Sequence, residues 1–371
     1  MGNWKNGELG DFVTLKRGFD LPQQKREDGQ VPIFSSSGIT GTHSTAMVKA
    51  PGVITGRYGT IGEVFYAAKD FWPLNTTLFV EDFHGNDAKF IYYFLKTLEW
   101  SKFTSASAVP GINRNTVHKE IVSLPDIETQ RRIASTLSMF DEKIKINTEI
   151  NDNLEQQAQS YFQELFVDNA DPEWAIGTIS DLGTVVGGST PSKAKPEYYT
   201  ESGIAWITPK DLSINKSKFV SHGENDITEL GLRNSSAAIM PEGTVLFSSR
   251  APIGYIAIAA GEVTTNQGFK SVVPKPEIGT PFVYFFLKNT LPVIEGMASG
   301  STFKEVSGST MKNVPAVIPD AETLAKFSDF CAPIFAQQRI LEEQNQSLAT
   351  LRDNLLPKLM SGEIDVSDVQ L

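Results

Sequence analysis

The chain has 371 residues, more than one hydrophobic core usually organises, so two or more domains are expected. Hydrophobic residues at 40% and aromatic residues at 10% exclude a disordered chain, and a formal charge of −11 argues against a bare nucleic-acid binder. The single cysteine, Cys331, excludes an internal disulfide and a cysteine zinc site; with no apolar run of membrane-spanning length, the expectation is a cytoplasmic protein.

In chain order, residues 1–125 hold short β-rich runs broken by Gly, Pro, Asn and Ser, such as GVITGRYG and EVFYAA, followed by an aromatic helix at FIYYFLKTLEW. From about Glu128 to Phe166 the pattern is purely helical. Residues 171–319 return to short strands (TVLFSS, YIAIAA) and a second aromatic helix, VYFFLKNTL, and about Ala321 to Met360 is helical again. The series repeats. FIYYFLK from Phe90 returns as FVYFFLK from Phe282, and LPDIET from Leu124 returns as IPDAET from Ile318. PGVITGRYGTIG from Pro51 resembles EGTVLFSSRAPIG from Glu242, with an asparagine after each, Asn75 and Asn266. An ordered series of this kind marks a tandem duplication.

The two long helices carry the same seam. Ile133, Leu137, Phe140, Ile144, Asn147, Asn151, Leu154, Ala158, Tyr161 and Leu165 alternate by four and three residues. Every one of these positions reappears 194 residues later, from Phe327 and Cys331 through Asn345 to Leu355 and Leu359. A mean spacing of 3.5 is a coiled-coil signature, and Asn151 and Asn345 sit where polar seam residues fix register. The linker, at roughly 3.5 Å per residue, is too short to return along a helix that rises at ~1.5 Å per residue, so the pair is expected to be antiparallel. The expected fold is α+β: two β-rich domains in tandem, separated by two long helices in an antiparallel coiled coil with pseudo-two-fold symmetry. The expected boundaries are 1–125, 126–170, 171–319 and 320–371, with the C-terminal tail returning near the N-terminus. Two readers at fixed separation suit a split site on a linear polymer, and DNA is the obvious candidate.

Several strings, spread over nearly the whole chain and in family order, resemble the specificity (S) subunits of type I restriction–modification systems. They are GGSTPSKAKPEYY from Gly187, GIAWITPKDL from Gly203, SRAPIGYIAIAAGEVTTNQGF from Ser249, ASGSTFKEVS from Ala298, LPDIETQRRIASTLSMFDEKI from Leu124 and NLLPKLMSGEI from Asn354. The resemblance implies two target recognition domains, each reading half of a bipartite DNA target, with the helices docking two modification (methyltransferase) subunits, which restriction subunits join. It implies S-adenosylmethionine, ATP and Mg on those partners and no cofactor on this chain.

The residues agree that catalysis lies elsewhere. There is no Asn-Pro-Pro-aromatic or Asp-Pro-Pro-aromatic string and no G-x-x-x-x-G-K-[ST] loop; GGSTPSK has the wrong spacing, and turn glycines explain GRYGTIG. His43, His84, His118 and His222 lack metal-ligand spacing. Asp126 and Asp320 are expected to cap the long helices, and Trp72, Trp206 and the aromatic helices to belong to the core.

Base edges are read by Arg, Asn, Gln, Ser and Thr, and phosphates by Lys, Arg and hydroxyls. The candidate DNA-binding residues are accordingly Ser36, Ser37, Arg57, Tyr58, Asn75, Thr76, Asn113 and Arg114 in the first domain. In the second they are Thr190, Ser192, Lys193, Lys210, Ser249, Arg250, Asn266, Gln267, Thr302 and Lys304. Arg57 and Arg250 lead, because each follows an expected strand and precedes Ile-Gly; an arginine bracing a turn is the competing reading. Two other assignments stay open: the recognition partner of a type II enzyme that cuts and methylates, and an adaptor whose domains bind proteins.

The charge divides informatively: +1 in residues 1–125, −5 in 126–170, −2 in 171–319 and −5 in 320–371. The acidic segments are the helical ones, which suits docking to basic partners. The helix length sets an expected ruler of about 48 Å at ~1.5 Å per residue, or about 14 base pairs or fewer at ~3.4 Å per step. Insertion of one heptad into both helices should lengthen the unread spacer in the methylated motif; an unchanged spacer would defeat the ruler.

Overall fold

Both domains are built on one opening and closing device. β1 (Trp4–Glu8) leads through a capping box, Glu8 with Asp11, into the one-turn helix α1 (Leu9–Phe12). The structure is a computed structural model and describes residues 4–104, 110–300 and 304–366. β2 (Thr14–Arg17), β3 (Val31–Ser35), β4 (Gly38–His43), β5 (Gly52–Gly56), β6 (Val64–Ala67), β7 (Trp72–Pro73) and β8 (Thr77–Asp82) follow. They form a four-stranded sheet, β2-β8-β5-β6, and a three-stranded sheet, β4-β3-β7. After helix α2 (Ala88–Lys96) and the short α3 (Arg114–Val117), β9 (Ile121–Pro125) pairs antiparallel with β1, Trp4 opposite Pro125. The chain then enters α4 (Ile127–Gln163).

The second half repeats the device. β10 (Ala175–Thr178) leads through the box of Thr178 with Asp181 into α5 (Ile179–Leu182) and β11 (Gly183–Gly187). β12 (Tyr199–Thr200), β13 (Trp206–Ile207), α6 (Pro209–Ile214), β14 (Phe219–Val220), β15 (Asp226–Ile227) and α7 (Glu229–Arg233) come next. β16 (Val245–Ser249), β17 (Ile253–Ala259), β18 (Thr264–Thr265) and β19 (Lys270–Pro274) complete a five-stranded sheet, β11-β19-β16-β17-β14, flanked by the short pairs β12-β15 and β13-β18. α8 (Thr280–Gly296), α9 (Gly308–Lys312) and β20 (Pro315–Ile318) precede α10 (Ala321–Met360), and β20 pairs with β10. As expected, Asp126 and Asp320 cap the long helices: the Asp126 carboxylate accepts from Thr129 N at 3.0 Å, and that of Asp320 from Thr323 N at 2.9 Å.

Contacts divide the chain into two units: Met1–Lys145 with Gln346–Leu371, and Ile146–Asn345. Each unit therefore contains a globular domain together with a segment of each long helix. In the first, Ile133, Leu137, Leu356, Leu359 and Met360 join Phe90, Tyr93 and Phe94 of α2 in one core. Arg352 donates to Asp141 at 2.5 Å, and Tyr93 Oη donates to the same carboxylate at 2.5 Å. As far as Val366 the tail lies where the sequence places it: Val366 is buried in this core, and the Trp4 ring packs against Gly362.

In the second unit Phe162, Phe327, Phe335, Cys331 and Ile334 close over Phe282, Phe285 and Leu287 of α8. Asn147 donates to Asn345 at 2.9 Å, and Gln338 donates to the backbone of Asn151 at 3.2 Å. In both units rising numbers on α4 meet falling numbers on α10, so the paired segments run antiparallel. Every expected seam residue from Ile133 to Leu165, in α4 and just beyond it, is buried or half-buried, while Met139, Ile146 and Ile150 are exposed. The aromatic helices are core, as their composition implies.

The second unit also buries charge. Lys218, one residue before β14, donates to Glu155 at 2.7 Å and to Gln338 at 2.8 Å, with its ammonium 3.5 Å from the Phe335 ring centroid. Its own amide and that of Phe219 donate to Glu342 at 2.8 and 3.0 Å. Lys288 supplies Glu155 with a second cation at 2.5 Å. Burial pushes Lys218 down to about 8 in spite of Glu155. Burial opposes the Glu155 carboxylate too, but Lys218 and Lys288 hold it at about 2. Because that folded value lies below the ordinary 4.5, the stability Glu155 contributes is present above pH 4.5 and lost as the pH falls toward 2. Glu155→Gln, which strands a buried cation, should cost about 3–5 kcal/mol at neutral pH in urea denaturation of the full chain. The deficit should shrink between pH 4.5 and 2; a pH-independent difference would refute the ion-pair account.

Candidate nucleic-acid interface

In the first unit the site begins at the end of β5. A Cβ on Gly56 would stand 1.8 Å from Thr60 O, so only glycine lets the chain turn there. Arg57 N then donates to Thr76 O at 2.8 Å, and Arg57 O accepts from Ile112 N at 3.0 Å, fixing this residue between two neighbouring segments. Tyr58 bridges to Gly111, where a Cβ would meet the Tyr58 ring at 2.2 Å, and the Arg57 guanidinium lies 4.6 Å from the centroid of that ring. Asn113 caps α3, accepting from Asn115 N at 3.0 Å, and leaves Arg114 exposed at the first helical position. Arg17, Arg57, Tyr58, Asn113, Arg114 and Asn115 line one surface cavity of about 470 Å³.

The second unit forms a larger cavity, about 710 Å³, in which Thr190, Lys193, Lys210, Arg250, Asn266 and Gln267 converge. Trp206, buried as expected, lends it a wall and anchors the neighbouring loop by donating to Ser189 O at 3.0 Å. The cations here are largely engaged. Lys210 binds Glu224 at 2.6 Å, and a side-chain hydrogen bond to that carboxylate raises its pKa; Arg250 and Lys270 share Glu305 at 3.5 and 3.8 Å. Thr190 donates to Gln267, and Asn266 closes a turn by accepting from Gly268 N at 2.8 Å.

Ten of the candidates named from the sequence are thus brought together on two surfaces, four in the first unit and six in the second. Others are not. Ser249 is fully buried, its hydroxyl given to Gly268 O at 3.1 Å, so its side chain is unavailable to an outside ligand. Ser37 closes an exposed turn with Ser35, and Asn75 is tied to Asp20. Ser36 borders the Gly59 turn, and Thr76 lends Arg57 its carbonyl, without either lining the cavity. Ser192 and Lys304 are exposed outside the second cavity, and Thr302 lies outside the described residues. Arg17 and Asn115, and in the second unit Tyr199, Thr208 and Asn225, were not foreseen. Arg17 had the signal that selected Arg57: a basic residue at a strand end before a turn.

The pairing of Arg57 with Arg250 needs correction. Gly56 faces Thr77 and Ser248 faces Phe269, both 192 residues apart; Ile61-Gly62 and Ile253-Gly254 keep the same offset. Ser249 N donates to Gly268 O and Ser249 O accepts from Val306 N, the bonds that Arg57 makes. The frame position of Arg57 is therefore held by Ser249, and that of Tyr58 by Arg250. The strings look alike because Arg precedes Ile-Gly in both, but by four residues in one and three in the other. Likewise Asn75 matches Gln267 rather than Asn266. The histidines have structural partners: His43 Nδ1 accepts from Glu27 N, His118 Nε2 from Leu15 N, His84 bonds Thr14, and His222 faces Asp226.

Comparison with known proteins defines the class. The family described as type I restriction modification DNA specificity domain matches residues 1–156 and 172–351, and the chain belongs to it. Among its relatives, the MjaIX specificity subunit of a type I restriction enzyme from Methanocaldococcus jannaschii is 38% identical over 194 residues, 50% of this chain; the matched part of this chain spans only 45% of that relative. The HindI specificity subunit of Haemophilus influenzae is 24% identical over 347 residues, 72% of this chain and 75% of the relative. The crystal structure of a type I restriction-modification system S subunit from M. genitalium shares the fold, with a TM-score of 0.64 at 19% identity over 96% of each chain. Under the split target expected from the sequence, Arg250→Ala should relax recognition of one half and leave the other half unchanged, as read from the methylated motif of the assembled complex. Equal loss in both halves would remove Arg250 from a half-site-specific role.

Proposed function

We propose that this chain is the DNA specificity subunit of a type I restriction–modification complex and has no catalytic centre of its own. Each globular domain reads one half of a bipartite double-stranded DNA target, and the long helices set the unread spacer and dock methyltransferase subunits. The observation that carries this reading is the twofold use of one backbone frame, the strand end at Gly56 and at Ser248, to open a cavity lined by cations and amide side chains. Those residue types are the ones that contact phosphates and base edges. Family membership supports the DNA specificity role.

The helices suit partner docking. Met139, Ile146, Ile150, Ile340 and Leu351 expose apolar surface on segments with a net charge of −5 each, a combination that fits a partner with an apolar contact and a basic rim. S-adenosylmethionine, ATP and Mg belong to the modification and restriction partners in this reading. Those partners also supply phosphate neutralisation that a chain of charge −11 lacks.

Mapping methylated bases in a genome with and without this gene, partner genes present, tests the proposal. A split motif that vanishes with the gene supports it; a short continuous motif, or methylation independent of the gene, overturns it.

A further inference from the structure

The two cavities differ in how their cations are held. In the second unit Lys210 and Arg250 each face a carboxylate, which leaves Lys193 and the uncharged readers Thr190, Asn266 and Gln267. In the first unit three guanidinium groups line the cavity and no carboxylate does, among the described residues. Arg17 reaches Asp20 only at 3.6 Å. Among the described residues Arg57 makes no ion pair, and its guanidinium lies 4.6 Å from the centroid of its neighbour's ring.

Arg57 is also the most constrained of the three. Its backbone is fixed on both sides by Thr76 and Ile112, and its side chain rests on a Tyr58 ring seated against Gly111. A phosphate contact needs only positive charge near the backbone, which an exposed side chain such as Arg114 supplies. A planar guanidinium with a fixed backbone, an aromatic ring 4.6 Å away and no carboxylate lining its cavity among the described residues is arranged for bidentate recognition, and the bidentate acceptor pair on a base edge is O6 and N7 of guanine. Resting on the DNA-reading function proposed above, we infer that Arg57 is a specificity-determining residue that reads guanine in the half-site bound by the first unit. Tyr58 is its positioning residue, and Arg114 and Arg17 contact the flanking phosphates.

The test uses the complete complex with its methyltransferase partners. The half-site of the first unit is the one left intact by Arg250→Ala. Duplexes carrying each of the four bases at every position of that half-site are then competed against one another, for the unaltered protein, Arg57→Lys and Tyr58→Leu. The expected result is a guanine in the half-site whose preference falls about tenfold or more in Arg57→Lys, which keeps the charge but loses the fork. Tyr58→Leu should weaken the same preference with Arg57 still present, and discrimination in the other half-site should not change. A first half-site without guanine overturns the inference, as does an Arg57→Lys protein that discriminates like the unaltered one. Either result leaves the DNA-reading function standing. A complex with no split recognition sequence would instead sink the function, and this assignment with it.

Discussion

Each unit closes its core with helix segments that come from far apart in the sequence. The aromatic helices α2 and α8 are too apolar to face water, and what covers them is a segment of α4 lying antiparallel to a segment of α10. Burial of each such aromatic side chain stabilises by roughly 1.5–3 kcal/mol, so the helix pairing and the folding of the globular domains are one event rather than two. This constraint explains why the seam is recognisable in the sequence. A position that must pack against a partner helix on one side and a sheet-bound helix on the other has little freedom.

The polar members of the seam obey a different constraint. Asn147, Asn151, Gln338 and Asn345 bond across the helices at distances of 2.9 to 3.5 Å, and the Oδ1 atoms of Asn147 and Asn151 are left without a partner. Such groups contribute less than leucines would, but they satisfy one register only, which is what an antiparallel pair must specify. Lys218 extends the same logic to the sheet. Its side chain reaches both α4 and α10, and its backbone amide and that of Phe219 use a carboxylate of α10 as their acceptor. The outer strand of the second unit is thereby held to the helices by charge as well as by packing.

Much of this was legible. The 3.5-residue spacing of Ile133, Leu137 and Phe140 and its return 194 residues later carried the helices and their pairing, because periodicity is a direct image of packing geometry, and the short linker carried their direction. The capping aspartates followed from local chemistry. The site was less legible, for two reasons. The strand frame is offset by 192 residues and the helices by 194, so an Arg matched to an Arg by eye fell one residue out of register. Ser249 holds the backbone position of Arg57, but its short side chain is buried with its hydroxyl given to Gly268 O, so an equivalent frame position carries no equivalent reader. Arg17 carries the same strand-end signal as Arg57, but that the end of β2 comes beside the loop before α3 is a property of sheet order, not of sequence.

The pairing of each domain's first strand with its last has a further consequence. Trp4 lies opposite Pro125, and Ala175 opposite Ile318, so each domain is entered and left through adjacent backbone, immediately before a helix. The opening motifs are offset by 170 residues and the central strands by 192, and the whole difference falls in the loops and short strands between α1 or α5 and the central sheet. The entrance and exit do not register it. To the helices, a domain is a closed loop with a fixed gate, and its contents can be lengthened, shortened or rewritten without moving a single residue of the seam.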